Sequence, residues 1–249
     1  MPELSSPPTA VTATPATTEP TPAASRFNQK LIPTLLAFVW LGGSLFLGAG
    51  RLDWIRGWIT FALWIVGVSA VALIVQHYNP SVLQARAKWR RKDTKRFDKV
   101  FLAVYLPLVI IQPALAGLDA GRYHWSSMPF AFVYVGAAFF VLSLGLITVV
   151  MILNPFAEST VRIQTDRGHT VITSGPYRLV RHPMYVAMIL MYVSTALILG
   201  SVWALGLGSV LAVLIVWRTA REDQTLRQEL RGYQEYAAIT RYRLLPGVW

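Results

Sequence analysis

Five stretches of this chain stay apolar over lengths that call for a bilayer rather than a soluble core. A helix rises about 1.5 Å per residue, so roughly 20 residues cross a hydrocarbon layer ~30 Å thick. The runs near 31–50, 57–75, 100–118 and 129–153 fit one crossing each. The last run, 184–217, is too long for one, and Leu199-Gly200-Ser201 near its middle predicts a tight turn between two spans. The expected fold class is therefore all-α: a polytopic membrane protein of about six transmembrane helices. Composition agrees, since 54% of the 249 residues are hydrophobic and only 14% charged.

The net charge of +11 would suggest nucleic acid as partner of a soluble chain, but its placement argues otherwise. With six spans, 20 of the 23 Lys and Arg fall in the alternate segments that begin with the N-terminus. Basic loops stay on the cytoplasmic side, so both termini are predicted cytoplasmic. The loop carrying Arg86, Lys88, Arg90, Arg91, Lys92, Lys95, Arg96 and Lys99 then lies against anionic headgroups. Membrane lipids, not nucleic acid, are the expected partners of this charge. Residues 1–25 include 20 Thr, Pro, Ala and Ser without the apolar core of a signal peptide, and read as a disordered tail. The chain has no Cys, which excludes disulfides, thiolate zinc sites and a Cys nucleophile. His77 and His124 have no partner at ligand spacing, so no metal is expected there. Gly200, Gly206 and Gly208 follow no strand, which disfavours a phosphate-cradling loop. Close helix packing is expected for them, as for Ser44 and Gly48.

The spans themselves hold almost no ionisable group, which disfavours an ion or proton path. Chemistry is expected in two stretches on the cytoplasmic face, 154–185 and 217–243. The first ends in Arg181-His182-Pro183-Met184-Tyr185, where Pro183 suits the first turn of a helix. The N–H groups of such a helix start form an anion site, and Arg181 and His182 would add donors. In the second stretch, Arg218 and Glu222 stand at i and i+4 and share a helix face. Taken singly, these are also what a snorkelling Arg, a capping His and a surface ion pair look like. The short hairpin between the last two spans brings both stretches to the same membrane face.

In combination and order, Ser174-Gly175-Pro176-Tyr177, Arg181-His182-Pro183-Met184-Tyr185, Glu222-Asp223 and Tyr233-x-x-Tyr236 resemble the isoprenylcysteine carboxyl methyltransferase family, a relative of the membrane phospholipid methyltransferases. The resemblance is close over 154–249 and extends to the earlier spans only in character. It implies an S-adenosylmethionine site built from membrane helices and a cytoplasmic C-terminal segment. With the tail 1–25 and transmembrane helices 1–4 within 26–153, it divides the chain into three regions, the last a methyltransferase region over 154–249. The cofactor contacts it implies are Gln164, His169, Thr170, Val171, Ile172, Tyr177, His182, Pro183, Met184, Tyr185 and Glu222, with Arg218 contacting the acceptor. Arg218 and Glu222 are the two expected at the reacting groups. Where family members often carry Gly, two positions after the motif Tyr, this chain has Ala187.

Methyl transfer from a sulfonium needs in-line positioning more than acid–base machinery. Tyr177, Tyr185 or Trp217 would face the sulfonium by cation–π attraction. A carboxylate acceptor is already ionised at neutral pH and needs no base, and no buried Asp–His pair stands out to serve as one. Arg218 would hold such a carboxylate bidentately. A lipophilic or prenylated carboxylate is therefore the leading acceptor, and a phospholipid or other small amine or thiol the alternative. A membrane sterol-type reductase and a non-enzymatic membrane module are the competing classes.

Overall fold

The computed structural model describes residues 23–87 and 93–249, with side chains described from residue 35 onward. Most of the expected tail, residues 1–22, and Lys88, Arg90, Arg91 and Lys92 of the basic loop lie outside the described residues. Residues 23–25, assigned to the tail by sequence, are the first residues of a helix. By packing, the chain divides into residues 1–37 and 38–249. The described part of the first is helical, and the second holds the helix bundle.

Among the described residues the regular structure is helical, without a strand. In chain order the helices are α1 (Ala23–Ala49), α2 (Ile55–Tyr78), α3 (Pro80–Ala87), α4 (Arg96–Ala116), α5 (Ala131–Leu153), α6 (Pro183–Leu199), α7 (Val202–Glu229) and α8 (Tyr233–Ile239). Four helical stretches, 55–78, 96–123, 131–153 and 202–229, are long and apolar enough to cross a membrane, and 35–49 and 183–199 are shorter apolar helices. These six coincide with the six expected spans. The third is longer than its apolar run because α4 continues as a π-helical segment, Gly117–Tyr123.

The turn at 199–201 forms as the sequence predicts. Gly200 takes φ +73°, open to glycine at no steric cost, and Ser201 caps α7 by accepting the Ala204 N–H at 2.9 Å. Fully buried Asp119 seals this end of the hairpin: it accepts the Ser126 N–H at 2.8 Å, the Ser201 hydroxyl at 2.5 Å and the Trp203 N–H at 3.3 Å. Arg56 donates to the Ile198 and Met128 carbonyls, closing the C-terminal turn of α6.

The glycines divide. A Cβ on Gly48 would lie 2.7 Å from the Ala114 carbonyl, so α1 and α4 cross where only glycine fits. Gly206, by contrast, has nothing within 4 Å, so the packing role expected for it is not found. α7, at 28 residues, extends about 42 Å, and its last turns outrun the hydrocarbon layer. They meet the 154–182 loop, α8 and the C-terminal strap, residues 240–249, at the end of the bundle that carries the basic loop.

Candidate functional site

The loop and strap are fixed by the backbone. The Arg181 and His182 N–H groups donate to the Tyr242 and Arg243 carbonyls at 2.9 and 3.0 Å, pinning the entry to α6 against the C-terminal segment. The Tyr236 hydroxyl donates to the Tyr177 carbonyl at 2.7 Å, tying α8 to the turn before α6. Asn154, at the end of α5, donates to the Tyr177 hydroxyl at 2.7 Å. Burial pushes the Tyr177 phenol well above its ordinary pKa, and also raises Tyr236, to about 12. Both phenols are therefore neutral at physiological pH.

This scaffold encloses a cavity of about 320 Å³, at the small end of the range for ligand sites. All twelve residues expected from sequence line it: Gln164, His169 to Ile172, Tyr177, His182 to Tyr185, Arg218 and Glu222. Leu102, Tyr105 and Leu106 of α4 and Met188 of α6 extend its wall into the apolar part of the bundle. The cavity is thus polar at the loop end and apolar towards the spans.

Several expected contacts take different roles. Arg218 does not pair with Glu222. Its Nε lies 2.8 Å from Oδ1 of fully buried Asp98, an ion pair without the alignment of a hydrogen bond, and its Nη2 donates to the Ser159 carbonyl at 2.9 Å. Its guanidinium also lies 4.7 and 5.4 Å from the ring centres of Phe101 and Tyr185. Asp98 reaches this position from the first turn of α4 and accepts the Val161 N–H at 2.8 Å. Glu222 accepts instead from the Tyr185 hydroxyl. Trp217, a candidate for the sulfonium, points away from the cavity and packs on Phe97 and Arg221.

The start of α6 offers fewer free donors than a helix start in general. Pro183 has no N–H, the Tyr185 and Val186 N–H groups already reach the His182 carbonyl, and the His182 N–H is held by Arg243. The Met184 N–H is what remains of the expected anion site. Arg181 adds no donor to it, because its Nε and Nη2 lie 2.7 and 3.2 Å from Asp223.

Asp223, fully buried, is the centre of a cluster the sequence did not suggest. It meets Arg227 and Arg243 at 3.0 Å each, accepts the Tyr233 hydroxyl at 3.0 Å, and lies 3.5 Å from His182 Nε2. A buried Asp–His pair therefore exists, contrary to expectation, with the carboxylate already engaged by three arginines. Burial, and next Asp223, raises the Tyr233 phenol and keeps it protonated.

Gln164 faces the cavity, but its amide braces the loop. Nε2 donates to the Phe156 carbonyl and Oε1 accepts from Arg167, each at 2.7 Å. His169 lies against Phe156 at 4.6 Å, its Nδ1 accepts weakly from the Gln164 N–H at 3.4 Å, and burial lowers its pKa. Arg162 is held by Glu158 and Asp166, and Glu158 first among them pushes its pKa up.

Residues 131–231 match the family model for phospholipid methyltransferase. The match supports a membrane methyltransferase, and it runs from α5 through α7, so every expected site residue falls inside it. A Delta(14)-sterol reductase of Mus musculus is 32% identical over 99 residues, 39% of this chain and 24% of that protein. The chain thus spans about a quarter of the length of this curated relative. Asp98 and Arg86 lie outside the phospholipid methyltransferase match. Arg86 is one of the eight cations of the basic loop, and Asp98 stands between two others, Arg96 and Lys99. The one available signal for Asp98 was an acid at the edge of a span facing a segment rich in arginine.

Proposed function

We propose that the chain is an S-adenosylmethionine-dependent membrane methyltransferase whose acceptor is a lipophilic carboxylate, such as a C-terminal isoprenylcysteine. The observation that carries the reading is the cavity itself: the Glu222 carboxylate, with a neutral phenol as its partner, opens onto a chamber that is polar at one end and apolar at the other. A zwitterionic, cationic cofactor and an amphiphilic acceptor fit such a division.

S-adenosylmethionine, when bound, supplies a methyl group activated on a sulfonium. The chain's residues bind and orient. Glu222 accepts from the cofactor's ammonium or a ribose hydroxyl, and the Met184 N–H, at the positive end of α6, donates to its carboxylate. The segment His169 to Ile172, with Tyr177, walls the adenosine end. Tyr185 holds Glu222 in place and, with Phe101, sandwiches Arg218, which orients the acceptor. Leu102, Leu106 and Met188 accommodate an apolar chain and keep water out. A carboxylate acceptor asks no proton transfer of these residues. The charge of the basic loop supports a cytoplasmic side for both termini and for the cavity's polar end.

Calorimetric titration of the detergent-solubilised chain with S-adenosylmethionine tests the cofactor assignment. Micromolar binding that Glu222→Ala weakens at least about tenfold is expected from the loss of a charge-assisted contact. Unchanged affinity would remove Glu222 from the site. Labelled methyl transfer then separates acceptors, because mild base cleaves methyl esters and leaves N-methyl groups of a phospholipid amine intact. Arg218→Lys is expected to impair ester formation through lost fork geometry. The likeness to a sterol reductase carries a second reading, hydride transfer to a sterol. Binding of NADPH in place of S-adenosylmethionine would favour it.

A further inference from the structure

The cavity holds several charged groups, and most are matched. Arg181 faces Asp223, Arg162 faces Glu158, and Arg218 faces Asp98. Among the described residues, two lining groups have no opposite charge at ion-pair distance: Glu222, already given to the cofactor, and Arg86. Arg86 projects from α3 and donates Nη1 to the Ala157 carbonyl at 3.0 Å, a neutral partner that leaves its charge uncompensated. Desolvation by burial, and then repulsion from Arg218, disfavour the charged form of its guanidinium. A recessed cation without a counter-ion, beside another cation, is costly in an empty cavity. An anion arriving there removes that cost.

We propose that Arg86, acting with Arg218, receives the anionic group of the lipophilic acceptor. The Arg218 charge is already matched by Asp98, and Ser159 and the two rings fix its guanidinium. Arg86 supplies the charge, and Arg218 supplies directed N–H groups beside it. Its place favours the acceptor over the cofactor's carboxylate. The groups that act on Arg86 electrostatically are Arg218, Tyr185 and Tyr105, and Tyr105 lines the cavity with Leu102 and Leu106 of α4. The inference rests on the methyltransferase reading for which molecule is the acceptor. The anionic oxygen group comes from one of two sources, a terminal carboxylate or a headgroup phosphate, and both are recognised by guanidinium pairs.

The test uses the full chain in neutral detergent, titrated with S-adenosylhomocysteine and with three amphiphiles: S-farnesyl-N-acetylcysteine, its methyl ester, and hexadecyl phosphate. The wild type is expected to bind at least one of the two anions about tenfold or more tighter than the neutral ester. The acid above the phosphate identifies a carboxylate acceptor, and the reverse a headgroup. Arg86→Gln is expected to reduce the preference to about twofold or less, with S-adenosylhomocysteine affinity unchanged. Arg86→Lys, which keeps the charge and the donation to Ala157, serves if the Gln variant does not fold. It is expected to weaken the anion roughly threefold through the lost fork and leave the ester unaffected. Equal affinity of wild type for acid, phosphate and ester overturns the proposal. So does a preference that survives both substitutions, or a loss that falls equally on S-adenosylhomocysteine. Anion preference in a wild type that does not bind S-adenosylhomocysteine would sink the methyltransferase reading and leave the Arg86 site standing. The converse would sink Arg86 alone.

Discussion

Glu222 and Asp223 are neighbours on α7 with the same charge and opposite surroundings. Asp223 is fully buried among Arg181, Arg227, Arg243, His182 and Tyr233, while Glu222 faces the cavity with the Tyr185 phenol as its partner. One helix register separates a carboxylate that holds the strap, the loop and α7 together from one left available to a ligand. A buried charge saturated by partners fixes structure, and one without a counter-ion is available for binding. The sharpest way to break the comparison is Asp223→Asn. It leaves three arginines beside one neutral amide, and a loss of about 3–5 kcal/mol is expected, seen as a large drop in thermal midpoint in detergent with cofactor binding lost alongside. A variant that keeps its midpoint would show that the cluster does not hold the site.

Asp98→Asn should come next. The amide can still accept the Val161 N–H, so only the charge on Arg218 loses its match. A cost of about 1.5–3 kcal/mol is expected. Unlike Asp223→Asn, this change should leave S-adenosylmethionine binding measurable, because Asp98 pairs with Arg218, which is proposed to orient the acceptor. Loss of cofactor affinity with an unchanged midpoint would place Asp98 with Glu222 instead.

The spans and the turn at Gly200 were legible because each rests on local order: bilayer length and a glycine between apolar runs. The twelve residues that line the cavity were reached through the family resemblance, not through local order. What the sequence hid is pairing at long range. Arg218 and Glu222 at i and i+4 invite each other on a helix wheel. α4 instead brings Asp98 to Arg218, and α6 brings Tyr185 to Glu222. Arg181 stands beside the helix start in sequence and yet turns to Asp223, because the strap closes over it. Arg86 looked like one of eight headgroup-facing cations, and only the fold of α3 against the 154–159 loop brings it to the cavity.

On the unsaturated side, Glu222→Gln keeps the shape and an acceptor oxygen for Tyr185 but removes the charge. An affinity loss of about tenfold for S-adenosylmethionine is expected, with the thermal midpoint of the free protein unchanged or slightly raised. That split is what separates Glu222 from Asp223. If both substitutions lower the midpoint alike, the division between saturated and available carboxylates fails.

The smallest effect concerns His169, on the loop that walls the cavity. Burial lowers its pKa in the folded protein below the ordinary value of 6.5. The unfolded chain therefore takes up a proton at higher pH than the folded one does. Stability is full above about pH 6.5, falls as the pH drops below it, and levels off once the folded-state pKa is passed. Thermal midpoints measured from about pH 7.5 down to 5 should decline more steeply in the wild type than in His169→Gln, which lacks the titrating ring. The difference between the two curves isolates His169 from the other titrating groups. Parallel curves would mean that the loop leaves His169 as solvated as in the unfolded chain. His169 would then belong with neither carboxylate of the pair, neither held by the fold nor withheld from water for a ligand.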